Sequence, residues 1–299
     1  LQPTLEKDDF YQYYGVQASL YYIEFHKIRL TNTYLDRFLH SNILDADSIL
    51  LEQPKLEVYL DKTWERKFKS KIGTYPHQKL LQANTRIRIS NVLMQKASVI
   101  YTEKNGTTKQ LGTLHLDNID LHIKNVTNDS NWIRDNNKCT AVAQGNIFGN
   151  SSINALFTFY LDSANGRFDV QGSVKNVSAK QLNALAVPLA NIEIPTLNLQ
   201  DLSFKVKAED FTAWSDVNMR YKDLSVVLRK TDEATGEIVT RKFLTRVLNK
   251  HVINSNNPGA NGIERKAYQV PFARLTTQSF FGVIWKSIFA GMQEIMMKT

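Results

Sequence analysis

The chain has 299 residues, 42% of them hydrophobic and 22% charged, enough apolar content for a packed core and unlike a disordered segment. Its length fits one large β unit or two ordinary domains. The net charge of +8 favours anionic partners, nucleic acid or an acidic membrane surface, but Lys and Arg are scattered. The densest cluster, Lys62, Arg66, Lys67, Lys69 and Lys71, has no nucleic-acid motif beside it and reads as a solvated loop.

Along the chain, short runs of alternating apolar and polar residues recur, a period that puts all apolar side chains of a strand on one sheet face. Tyr21, Ile23 and Phe25 alternate, then Ile28 and Leu30 continue in the other phase, as across a β-bulge. Residues 48–60 read as a strand, a Gln53-Pro54 break and a second strand carrying Leu56, Val58 and Leu60. A charged connection follows over 61–82, then strand candidates at 86–89 and 97–101. The Asn105-Gly106 turn predicts that 111–126 pairs back on the last of these. The polar stretch 125–137 is read as a loop, and residues 141–174 as a three-stranded meander with Phe157, Phe159, Leu161, Phe168 and Val170 in phase.

Residues 178–189 break this rhythm. Leu182, Leu185 and Leu189 have helical spacing, and Ser178 is the expected N-cap. Strands resume at 192–199, at 202–208 with Leu202, Phe204 and Val206, at 216–221 and at 224–229. A turn is expected at Asp232–Gly236, a further strand from Ile238, and a polar loop at 251–265. The closing segment, Thr276 to Met297, is helical. At about 100° per residue, Phe280, Phe281, Ile284, Trp285, Ile288, Phe289, Met292, Ile295 and Met296 fall within one half of the wheel, opposite Ser279, Lys286, Gln293 and Glu294. Lys286 and Glu294 interrupt it, and Gly282 and Gly291 weaken it, so it does not read as a membrane span. It either caps the sheet or lies on a membrane or partner surface.

The residues offer little catalytic chemistry. His115, Asp117, Asp120 and His122 share one face if a bulge falls near Asn118, and imidazole with carboxylate is a competent metal-ligand set. Same-face neighbours on a strand stand about 7 Å apart, however, and a solvent-facing strand shows polar alternation anyway, so no metal is assigned. No His-Glu-x-x-His, Gly-x-Ser-x-Gly, phosphate loop or dinucleotide fingerprint occurs. The pairs Asp8-Asp9 and Asp232-Glu233 read as solvated turns. The lone Cys139 excludes an internal disulfide framework and a multi-cysteine zinc site, and reads as a buried or half-buried thiol. Five Asn-x-Ser/Thr matches, at Asn105, Asn125, Asn128, Asn150 and Asn176, carry weight only in a secreted eukaryotic protein. The first residue is Leu1, and no signal peptide or long apolar run appears. The chain is therefore expected to be a piece of something longer or a processed product.

Several landmarks together resemble the AsmA-like proteins of Gram-negative envelopes, in the form found in Bacteroidetes. They are Val99-Ile100-Tyr101-Thr102-Glu103 with Gly112, Asn125-Val126-Thr127, Phe168-Asp169-Val170-Gln171-Gly172, Leu182-Asn183, Tyr221-Lys222-Asp223-Leu224 and Trp285-Lys286. The resemblance covers most of the chain through loose motifs. It implies kinship with bridge-like lipid-transfer proteins, whose β-groove shields acyl chains across an aqueous gap. It further implies a periplasmic location, an inner-membrane anchor upstream, and a role in phospholipid transport and outer-membrane homeostasis. It brings no catalytic residue and no cofactor.

The resulting expectation is a mainly β chain: a long curved antiparallel sheet forming a groove or open taco-like barrel over residues 1–275, with a possible sub-boundary at 127–140. A short helix is placed near 178–189 and an amphipathic helix over 276–299. Leu56, Val58, Leu60, Phe157, Phe159, Phe168, Val170, Phe204 and Val206 are the candidate lining for an acyl-chain lipid, and the closing helix would meet a membrane. At about 25 cal/mol per Å², hiding two acyl chains is worth several kcal/mol without any specific contact. Envelope proteins are further candidate partners; nucleic acid is not. The alternatives are a closed, non-catalytic structural module and a metal-dependent hydrolase built on His115 and His122.

Overall fold

The structure, a computed structural model, describes residues 1–231 and 238–298; the turn at Asp232–Gly236 and the Asp232-Glu233 pair lie outside them. The chain opens with α1 (Lys7–Tyr14), β1 (Ser19–Glu24), β2 (Lys27–Thr31), α2 (Leu35–Ser41), β3 (Ile43–Glu52), β4 (Lys55–Asp61) and α3 (Pro76–Leu81). Two long strands follow, β5 (Arg86–Lys104) and β6 (Leu111–Thr127), then α4 (Ser130–Asp135), β7 (Lys138–Ile147), β8 (Ser151–Tyr160), β9 (Phe168–Ser178) and α5 (Ala179–Ala190). After β10 (Ile192–Glu193) come β11 (Asn198–Ala208), β12 (Thr212–Lys222), β13 (Val227–Thr231), β14 (Ile238–Thr240) and α6 (Lys242–Val247), which runs into a π turn at Leu248–Val252. The chain closes with β15 (Lys266–Ala273) and α7 (Phe280–Met296).

Among the described residues twelve strands form one open sheet, with β1 and β15 at the ends of its main run; β10, β13 and β14 make a small second sheet. The sheet is mixed, which corrects the expectation of an antiparallel one: β3 and β4 both run parallel to β5. Parallel neighbours need a long crossover, and here it is the connection over residues 62–85. This strap runs from one flank of the sheet to the other. Glu65 O accepts from Gln17 N (2.8 Å) just before β1, while Arg66 Nη2 donates to Thr277 O (3.1 Å) just before α7.

A line of kinks crosses the sheet. Gln53 (φ 49°) between β3 and β4, Lys96 (φ 52°) in β5 and Asn118 (φ 50°) in β6 are all left-handed, and Gln53 N bonds to Gln95 O (2.8 Å) beside Lys96. An extra residue in a strand bends it and increases its twist. Each kink also removes one residue from the alternation, so the same face stays apolar on both sides of the crease.

Local signals account for several helices. Ser178 Oγ accepts from Gln181 N (3.4 Å) and Gln181 Oε1 accepts from Ser178 N (2.8 Å), a reciprocal cap that starts α5; left-handed Asn191 ends it. Asp8 and Asp9 lie in the first turn of α1 rather than in a solvated turn, where carboxylates suit the helix dipole. The stretch 127–140 holds α4 and is no boundary in the sheet, since β6 and β7 pair directly across it.

A partly covered apolar face as the candidate functional site

Residues paired across neighbouring strands share a sheet face, so the register traces the face through the molecule. One row joins Leu56, Val99, Leu116 and Ile147; the next joins Val58, Tyr101 and Leu114. A third runs Val92, Ile123, Ala141, Phe157, Val170 and Val206, flanked by Phe159 with Phe168 and by Gly172 with Phe204. Leu60 pairs with Glu103 in the same phase. All nine candidate lining residues therefore lie on one face.

The face is covered unevenly. Phe159, Phe168, Val170, Phe204 and Val206 are buried in the core. Phe280 of α7 packs 4.8 Å from Phe168 and 5.8 Å from Phe159, and Tyr75 of the strap packs 5.0 Å from Phe168 (ring centroids). These five positions, and the half-buried Phe157 that packs against Phe280 (6.1 Å between ring centroids), are covered by the chain's own side chains. Across β1 to β6 the face is barer: Leu56, Val58 and Leu60 are half-buried, and Ile28, opposite Leu51, is 51% exposed. Helix α5 closes the upper end of β6, where Leu189 lies so close over Gly112 that a Cβ there would come within 2.6 Å of it. Beside it stands a polar rim: Tyr101 Oη donates to Glu103 Oε2 (2.7 Å), and Lys62 Nζ lies 2.6 Å from Glu103 Oε1. Burial, with the Glu103 carboxylate beside it, pushes the Tyr101 phenol far above its ordinary range.

At the lower end the strap is latched by Tyr75 and Gln78 of the charged connection and by Asp210 and Arg274 outside it. Gln78 Oε1 accepts from Tyr75 N (3.0 Å), and Gln78 Nε2 donates to both Asp210 oxygens (3.2 and 3.1 Å). The buried Arg274 lies 3.5 Å from Asp210 Oδ1, donates to Lys71 O (2.7 Å), and stacks 4.2 Å over the Tyr75 ring. His77 is buried beside Tyr75, Phe159 and Phe168, and burial pushes its imidazole down to about 4 against the opposing Asp210 charge. The sequence signal was Pro76 at the first helical position with Gln78 two residues on, a helix-start pattern in an otherwise charged run.

Helix α7 corrects the wheel. Its buried side is Val283, Ile284, Ser287, Ile288, Gly291 and Ile295, rotated toward the small residues. Gly291 sits on β12, where a Cβ would lie 2.5 Å from Val217 Cγ2, and Ser215 Oγ donates to Ser287 O (2.8 Å). Of the nine apolar positions on that arc, Phe280, Ile284, Ile288, Met292, Ile295 and Met296 pack against the core, as a cap on the sheet would. Phe281, Trp285 and Phe289 turn outward, 71, 55 and 41% exposed.

The polar constellation of β6 does not assemble. His115, Asp117, Asp120 and His122 share the opposite face through the Asn118 bulge, but His122 Nε2 lies 2.8 Å from Asn91 Oδ1 and Asp120 Oδ1 accepts from Lys96 N (3.0 Å). Among the described residues no group of three or more His, Cys, Asp or Glu could hold a metal ion. Cys139 is buried in β7 opposite Phe159, and burial pushes its thiol up to about 12, so it is not a thiolate at neutral pH. Among the described residues no helix is long and apolar enough to cross a membrane.

Fold and site thus define a protein built on one open mixed sheet, whose apolar face is filled by its own helices on one flank and left half-exposed on the other. Comparison with protein-family models, curated proteins and solved structures finds no match to the chain.

Proposed function

We propose that the chain is a non-catalytic, lipid-binding β-groove of the AsmA-like kind, serving phospholipid transfer and outer-membrane homeostasis in the periplasm. The carrying observation is the half-exposed apolar face of β1 to β6, continuous in register with the packed core. A half-exposed apolar face calls for a cover, and acyl chains supply one by shape and apolarity alone. In this reading the kinked, curved sheet is a trough, the strap and α5 bound its ends, and the outward Phe281, Trp285 and Phe289 seat it against a membrane. An inner-membrane helix upstream of Leu1 would anchor it.

The filled flank narrows the lining. Leu56, Val58 and Leu60 remain as contacts for lipid, whereas Phe168 and Val206 belong to the core. That flank also favours a second reading, a structural or interaction module of the envelope with no lipid cargo. Photocrosslinking residues at positions 56 and 58 in cells decide between them. Capture of phospholipid there, and not at position 206, supports the groove; a folded protein that captures none and copurifies with none is the structural module.

A further inference from the structure

The basic cluster that reads as a solvated loop in the sequence is, in the fold, part of the strap, and the strap abuts the start of α7. Arg66 Nη2 donates to Thr277 O (3.1 Å), Lys71 N to Thr276 O (2.6 Å), and Arg274 Nη2 to Lys71 O (2.7 Å). Arg66, Lys67, Lys69 and Lys71 are exposed, and none has a carboxylate partner among the described ion pairs. Phe68, between them, is 77% exposed. Across the contact begins the outward aromatic stripe of α7, with Trp285 and Phe289 packed on one another at 5.9 Å between ring centroids.

We propose that the strap and the outer stripe of α7 form one docking surface for an anionic lipid bilayer, the four cations meeting headgroups while the aromatic rings enter the interface. This rests on the reading of α7 as the membrane-facing element and adds the charge of the membrane it selects. Clustered basic residues beside an amphipathic helix attract anionic lipid, and aromatic rings favour the headgroup boundary. A nucleic acid would also answer the charge. The aromatics, however, stand at i, i+4 and i+8 in one unbroken apolar stripe, a surface suited to burial rather than to stacking separate bases.

The test is cosedimentation of the full chain with vesicles of phosphatidylcholine alone and of phosphatidylcholine with phosphatidylglycerol in equal parts. Binding to the anionic vesicles is expected to be about tenfold tighter or more, given the roughly fivefold that one basic residue near an anionic surface contributes, and to weaken as salt is raised. The variant Arg66→Gln/Lys67→Gln/Lys69→Gln/Lys71→Gln should lose that preference. Equal binding by this variant and the native chain overturns the proposal, as does native binding to a single-stranded oligonucleotide with none to vesicles. The variant Phe281→Ser/Trp285→Ser separates the two readings: loss of binding to both vesicles upholds α7 as the membrane element. No loss, with the strap preference intact, refutes that element and leaves the cations as the site.

Discussion

Gly291 shows how a residue that weakens a helix can be required by it. Glycine costs about 1 kcal/mol of helix propensity relative to alanine, so Gly291→Ala should stabilise an isolated helix. Here the added Cβ would meet Val217 Cγ2 at 2.5 Å, Val217 Cβ at 3.0 Å and Ser215 Oγ at 3.2 Å, on a β-branched side chain held in the sheet. Overpacking of this kind costs about 1–3 kcal/mol. The substitution should therefore lower the melting temperature by a few degrees, and a rise would show that the helix can lift off the sheet. His77 gives a residue-scale prediction in pH. Its folded value of about 4 lies below the unfolded 6.5, so its stabilisation is full above pH 6.5 and is lost as pH falls toward 4. That loss is on the order of 3 kcal/mol. His77→Phe, which keeps a ring among Tyr75, Phe159 and Phe168, should show a correspondingly shallower fall in denaturant stability between pH 7 and pH 4.

At the scale of elements, the strap depends on one acidic residue. Asp210 holds Gln78, accepts from Gly73 N (3.4 Å) and faces Arg274, whose side chain is wholly buried. Removing one partner of a buried ion pair leaves the other charge unpaired and costs about 3–5 kcal/mol. Asp210→Ala is expected to destabilise the protein by that order and to raise amide exchange over residues 71–82 before it does so in β7 to β9. Uniform loss of protection would mean that the strap does not open separately. Elements also show where sequence pattern is informative. The strands of 141–174 and the Ser178-capped helix follow from alternation and a local cap, because side chains a few residues apart decide both. The parallel pairing of β3 and β4 with β5 does not follow, because it depends on where a distant crossover lands.

At the scale of the whole molecule, the question is what covers the apolar face. The flank from β8 to β15 is sealed by α7 and the strap, and a charge placed there should unfold the protein. The flank from β1 to β6 is half-exposed, so Val58→Glu should leave the melting temperature within a few degrees of the native chain while abolishing copurified or crosslinked lipid. A thermal melt and native mass spectrometry of the two proteins read the two outcomes. If Val58→Glu retains its lipid, the lipid sits elsewhere; if Val58→Glu unfolds, this flank is core as well.

Strand alternation, the Asn118 bulge, the α5 cap and the one-faced character of the sheet are legible in the residues alone, because each rests on the chemistry of near neighbours along the chain. Which part of that face is filled depends on packing between segments far apart in the chain. The apolar arc of α7 is half its circumference wide, and hydrophobicity does not say which part of so wide an arc meets the sheet. Small residues do: Ser287 and Gly291 allow close approach, draw six of the nine apolar positions into the core, and leave Phe281, Trp285 and Phe289 outside. The same long-range packing sets the basic cluster of Arg66, Lys67, Lys69 and Lys71 beside that helix.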